Sequence, residues 1–182
     1  MKLKMNYYIS DLHFGHENVI HFDKRPFADV KEMDTVMIAH WNKCVKLDDH
    51  VFIVGDFAFN TKHPEEWYLK QLNGHKHLII GNHDLHMLKN KTAMAYFESA
   101  DKMMHVSEGG KQICLCHFPL AEWNQEKRNS WHIYGHIHAN REETYVYMKT
   151  KERALNAASC INHYKPSTLE ELIYNNRVFQ TQ

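Results

Sequence analysis

Tyr7-Tyr8-Ile9-Ser10-Asp11-Leu12-His13 is the stretch that decides the fold. An apolar run over residues 5–10 reads as a strand, and it delivers a carboxylate and an imidazole just past its end. Asp11 and His13 are separated by one residue, so both side chains project to one side of an extended backbone.

The same pattern repeats outward along the chain. Residues 51–54 read as a second strand and run into Gly55-Asp56. Residues 77–80 lead to Gly81-Asn82-His83-Asp84, and residues 113–116 lead to His117. Residues 131–134 lead to Gly135-His136-Ile137-His138, where the one-residue spacing returns. In α/β sheets ligands gather at the carboxyl ends of strands, so these five loops are expected to converge.

Helical spacing falls between the strands. Met33, Met37, Trp41 and Cys44 recur on one helix face, with Asp29 as N-cap. A second helix is expected over residues 64–72, with Pro64 in its first turn and Gly74 just past its end. Gly109-Gly110 between two apolar runs indicates a hairpin turn. Ser167 and Glu170 have capping-box spacing before Leu172-Ile173. Helices alternate with strands early and strands dominate later, which describes a layered α/β domain.

Length and composition bound the class. At 182 residues, one domain spanning residues 1–182 is expected. Lys plus Arg and Asp plus Glu are both 22, so long nucleic acid is not indicated as a partner. No window approaches the roughly 18 apolar residues of a membrane span. The charged start, Met1-Lys2-Leu3-Lys4, precedes an apolar stretch too short for a signal-peptide core. The four cysteines, Cys44, Cys114, Cys116 and Cys160, do not make a disulfide scaffold at this length, so buried free thiols and a cytoplasmic location are expected.

The 16 histidines call for a chemical account. Asp11, His13, Asp56, Asn82, His117, His136 and His138 offer two carboxylates, one amide oxygen and four imidazoles. Seven ligands exceed one tetrahedral ion. They suit two divalent ions sharing a carboxylate, roughly 3.5–4 Å apart, with room for water and substrate. Nitrogen and oxygen ligands without thiolate favour manganese, taken as the first choice, or iron, zinc, cobalt or nickel. Such a pair activates a water as hydroxide and screens an attacked phosphoryl group. The leaving alkoxide then needs a proton, and His83, oriented by Asp84, is the expected general acid.

The ordered set resembles the calcineurin-like metallophosphoesterases. Ser10-Asp11-Leu12-His13-Phe14-Gly15-His16-Glu17-Asn18 is most similar to a small bacterial and phage branch of that superfamily. The resemblance covers residues 10–138. It implies a four-layer αββα sandwich, two mixed sheets flanked by helices. It also implies that Asp11, His13 and His138 hold one ion, that Asn82, His117 and His136 hold the other, and that Asp56 bridges them.

The chain departs from the family pattern in two places. The second block continues Phe57-Ala58-Phe59-Asn60 where many relatives carry a further Asp or Arg, so an orienting partner is expected from elsewhere. The fourth block is Cys116-His117-Phe118-Pro119 where relatives often have Gly-His.

The expected activity is hydrolysis of a small phosphodiester, nucleotide or phosphomonoester. The alternative is a non-catalytic protein-interaction module on the same fold. Candidate substrate contacts are His16, Asn18 and Arg25, whose guanidinium can clamp two phosphate oxygens at once. Trp123, Lys127, Arg128 and Trp131 either rim the site or simply pack. His50, His75, His77 and six other histidines outside the motifs read as surface or structural.

Overall fold

The computed structural model of the chain describes residues 4–182; residues 1–3, part of the charged start, lie outside them. Strands β1 (Asn6–Ile9), β2 (His50–Ile53), β3 (His75–Ile79) and β4 (Phe97–Asp101) pair in that order, all in parallel. Strands β5 (Met103–Glu108), β6 (Lys111–Cys116), β7 (Trp131–Tyr134) and β8 (Ala154–Asn156) form a second sheet, antiparallel between β5 and β6 and parallel from there on. Helices α1 (Glu17–Phe22), α2 (Val30–Cys44), α3 (Glu65–Leu69), α4 (Lys91–Met94), α5 (Glu143–Lys149) and α6 (Leu169–Thr181) complete the chain.

The architecture is an α/β sandwich of two four-stranded sheets flanked by helices. One detail differs from expectation: only the second sheet is mixed. Strands β1 to β4 are joined through helical segments, which return the chain in parallel, whereas Gly109-Gly110 closes a tight turn between β5 and β6.

Side-chain alternation sorts the core into layers. Ile9, Val51, Ile53 and Leu78 pack on Met33, Met37 and Trp41 of α2. The opposite neighbours, Tyr8, Phe52, Val54 and Ile79, meet Ile113, Leu115, Ile133 and Leu155 between the two sheets. Cys114, Tyr134 and Ala154 turn to the outer face, against Met148 of α5 and Trp123.

Local signals worked with small offsets. The Asp29 side chain accepts from the Glu32 N–H and caps α2 as expected. Pro64 caps α3, which stops at Leu69 rather than at residue 72. The capping box of α6 is Thr168 with Glu171, one residue beyond the expected pair. Ser167 is taken up instead by reciprocal backbone hydrogen bonds with Tyr8, so the helix starts later.

Five elements gave no sequence signal strong enough to place them: the mostly exposed edge strand β4, the three-residue β8, and the short helices α1, α4 and α5. All four cysteines are free, with Cys114 and Cys116 buried. Among the described residues, no helix is long and apolar enough to cross a membrane.

Candidate metal centre

Five strand-end loops meet at the carboxyl edges of the two sheets. Asp11 and His13 follow β1, Asp56 follows β2, and Asn82 and His83 follow β3. His117 follows β6, and His136 and His138 follow β7. Backbone hydrogen bonds tie the loops together, from the Asp11 N–H to the Gly55 carbonyl, from His13 to Asp56 and from Gly135 to His117.

The loop backbones are strained. Asp11, His13, Asp56, His136 and His138 have φ of 53°, 52°, 56°, 70° and 50°. The left-handed region costs a non-glycine residue about 1–2 kcal/mol. Strain of this kind persists where the surroundings impose it, and it gathers at functional sites. Gly135 shows how tightly the loops pack. A Cβ there would lie 2.5 Å from Ser10 Oγ and 2.6 Å from Asp11 Oδ2.

Two sets of candidate ligands lie side by side. In the first, His13 Nε2 is 3.2 Å from His138 Nε2, which is 3.5 Å from Asp11 Oδ1. In the second, Asn82 Oδ1 is 3.0 Å from both His117 Nε2 and His136 Nδ1. Asp56 Oδ2 stands between the sets, 3.4 Å from His117 Nε2 and 3.8 Å from His13 Nε2. Asp11, His13 and His138 form one group with ligand atoms close enough to share an ion, and Asp11, Asp56 and His117 form another.

The donor set fits divalent metal. The Nδ1–H of His117 donates to the Val54 carbonyl at 2.9 Å, and the Nδ1–H of His138 donates to the Asp23 carboxylate at 2.8 Å. An outer hydrogen bond of this kind fixes the tautomer and leaves the inner Nε2 as a lone-pair donor. Two imidazole Nε2 atoms 3.2 Å apart cannot both carry protons, so a cation between them is better tolerated than two N–H groups.

The electrostatics reflect the crowding. Burial pushes His13 down to about 2, helped by the positive charge at His138 and opposed by Asp56. Burial also disfavours charge on His117, but hydrogen bonding to Asp56 and the nearby Asp11 and Asp56 carboxylates outweigh it and raise the imidazole to about 9. Burial raises the Asp56 carboxyl, yet His117, the His83 backbone N–H and His13 bring it down to about 2. Burial raises Asp11.

Several expected roles are corrected. Asp84, fully buried, does not orient the His83 ring; it accepts backbone N–H groups of Asp56, Phe57 and Gly81 at 2.8–2.9 Å and so braces the two loops. Arg25 is 4% exposed, with its donors spent on the carbonyls of Asp11 and Leu12 and on Asp23, leaving no clamp for phosphate. Trp123 packs, donating to the Ser130 carbonyl.

The other candidates lie at the rim. His16 is half-buried, stacked edge-on against Phe22 and Phe59, and its ring centroid is 5.6 Å from that of His13. Asn18 is exposed on α1. His83 is half-buried beside His13 and Phe59, with its backbone N–H on Asp56 Oδ1 at 2.9 Å. Its ring lines a cleft of about 310 Å³ together with Phe59 and Asn60.

Asp23 escaped the sequence reading. It orients the candidate ligand His138 rather than His83, and it lies in the turn after α1, outside every motif block. Its only mark in the sequence is its place two residues before Arg25.

Fold and site together define an αββα protein carrying a histidine-rich cluster of candidate metal ligands at its strand ends. No family model matches the chain. The uncharacterized protein MJ1445 of Methanocaldococcus jannaschii is 31% identical over 186 residues, spanning 100% of this chain and 98% of that protein. The chain belongs to the family of that archaeal protein. A protein of unknown function from Aquifex aeolicus, AQ665, has a crystal structure that superposes with a TM-score of 0.74 at 29% identity, over 93% of this chain and 97% of that one. The phosphoesterase YfcE of E. coli overlaps at a TM-score of 0.39 and 15% identity, over 84% and 77% of the two chains, which carries no weight for activity.

Proposed function

We propose that the chain is a metal-dependent phosphoesterase of the calcineurin-like kind, hydrolysing a small phosphodiester, nucleotide or phosphomonoester. One observation carries the reading: the single carboxylate of Asp56 stands between an imidazole of each ligand set. Asp11, His13 and His138 would hold one divalent ion and Asn82, His117 and His136 the other, with Asp56 shared and manganese the first choice. When bound, the ions supply a water nucleophile near neutral pH and positive charge against the phosphoryl oxygens.

His83 holds a proton at its imidazole for the departing alkoxide. Its pinned backbone and the edge of Phe59, 4.3 Å away between centroids, keep the ring at the cleft beside the centre. Asp23 and the Val54 carbonyl orient His138 and His117, and Asp84 keeps the Asp56 and Asn82 loops in register. His16 and Asn18 border the space where substrate oxygens would lie. Four free thiols accord with the reducing cytoplasm, where we place the protein.

The test is hydrolysis of bis-p-nitrophenyl phosphate by protein stripped with a chelator and then reloaded with manganese. Activity is expected only after reloading, and turnover by the stripped protein would overturn the reading. His83→Ala should cost about 10²–10⁴ in rate on an alkyl ester and much less on the nitrophenyl ester, whose leaving group hardly needs a proton.

A further inference from the structure

We propose a second, separate metal site on the first sheet, built by His50, His77 and Glu98 and taking a single divalent transition-metal ion such as zinc. It lies towards the amino-terminal ends of the strands, whereas the centre described above occupies their carboxyl ends. His50 opens β2, His77 is in the middle of β3, and Glu98 is on β4.

The three ligand atoms already converge. His50 Nδ1 is 2.9 Å from His77 Nε2, and His77 Nε2 is 3.8 Å from Glu98 Oε2. All the candidate ligand atoms lie within 4.8 Å of one another. Two metal bonds of about 2.0–2.2 Å, opened to a tetrahedral angle, separate their donor atoms by roughly 3.4 Å. Two of the observed spacings fall on either side of that value, and the third, between His50 and Glu98, stays within 4.8 Å, so rotation of the exposed Glu98 side chain towards His50 is what seats an ion. Two histidines and a glutamate with a fourth position open to solvent are an established zinc ligand set.

Neighbouring groups prepare these ligands. Ser99 Oγ lies 2.8 Å from His77 Nδ1; by accepting that N–H it leaves Nε2 as the lone-pair donor facing His50. His75 Nδ1 holds the other oxygen of Glu98 in a close hydrogen bond. A β-bulge accounts for the carboxylate. Lys76 pairs with Phe97 and His77 with Ser99, so Glu98 is the extra residue of the edge strand. Bulges re-aim a side chain, and this one lets Glu98 and Ser99 both reach His77.

The test is equilibrium dialysis against micromolar free zinc with bound metal counted per chain. His77→Gln and Glu98→Ala should each bind one ion fewer than the parent. Glu98 is nearly half exposed, so its truncation leaves the fold intact if His77→Gln does not. The same one-ion loss is expected on an Asp56→Asn background, which disables the strand-end centre, so the two sites report separately. Equal zinc counts in the parent and both variants overturn the proposal.

Discussion

His138 Nδ1 stands 2.8 Å from the carboxylate of Asp23, and the same carboxylate takes hydrogen bonds of 2.9 and 3.0 Å from the Arg25 guanidinium. A buried arginine thus holds an aspartate, and the aspartate holds a candidate metal ligand. Burial would raise Asp23, but the hydrogen bond and charge of His138, together with Arg25, bring it below the usual carboxylate value.

Asp23→Asn keeps the shape and removes the charge. Partners of metal-ligating imidazoles are worth about 10–100-fold in metal affinity. We expect a loss of that size in a manganese titration, with activity recovered at saturating metal. An unchanged affinity would show that Asp23 serves Arg25 alone.

Arg25→Ala separates a structural arginine from a phosphate clamp. It strips Asp23 of its charged partner, leaves the Leu12 carbonyl without its donor and leaves the Asp11 carbonyl with Ser159 Oγ alone. Breaking a buried pair this way costs about 3–5 kcal/mol, to be read from urea unfolding. A variant of near-normal stability with only weakened substrate binding would restore the clamp.

Gly135→Ala tests the packing of the loops. Ser10 and Asp11 are both fully buried, so neither can move away from a Cβ at 2.5–2.6 Å. Overpacking of this kind costs about 1–3 kcal/mol. A lower melting temperature and weaker metal binding are expected together, because the clash falls on Asp11 itself.

His132 makes stability depend on pH away from the metal centre. Burial holds its imidazole at about 4, against an ordinary 6.5, despite its contact with the Cys114 carbonyl at 3.1 Å. Between those values the unfolded chain binds a proton that the folded chain refuses, so stability falls as pH drops from 6.5 to 4 and is unaffected above. A shift of that size is worth about 3 kcal/mol by pH 4. Denaturant unfolding of His132→Gln should lose that part of the slope.

The motif residues were legible because each block is local. An apolar run followed by Asp-x-His or Gly-Asp states its own geometry within a few residues. The roles of Asp84 and Arg25 were misread because both depend on where a side chain points after burial, and loop contacts set that. His50, His75 and His77 looked like scattered surface histidines. They meet only because three parallel strands lie in register and a bulge turns Glu98 towards them.

Strand-end order, the buried stripe of α2 and the inventory of metal-binding side chains all reside in short-range pattern, where side-chain period and capping chemistry act. Which of those side chains touch is another matter. His13 and His138 are 125 positions apart yet 3.2 Å from each other, and Asp23 reaches His138 across 115. Contacts that distant come from packing two sheets on a shared core, and no local periodicity encodes them.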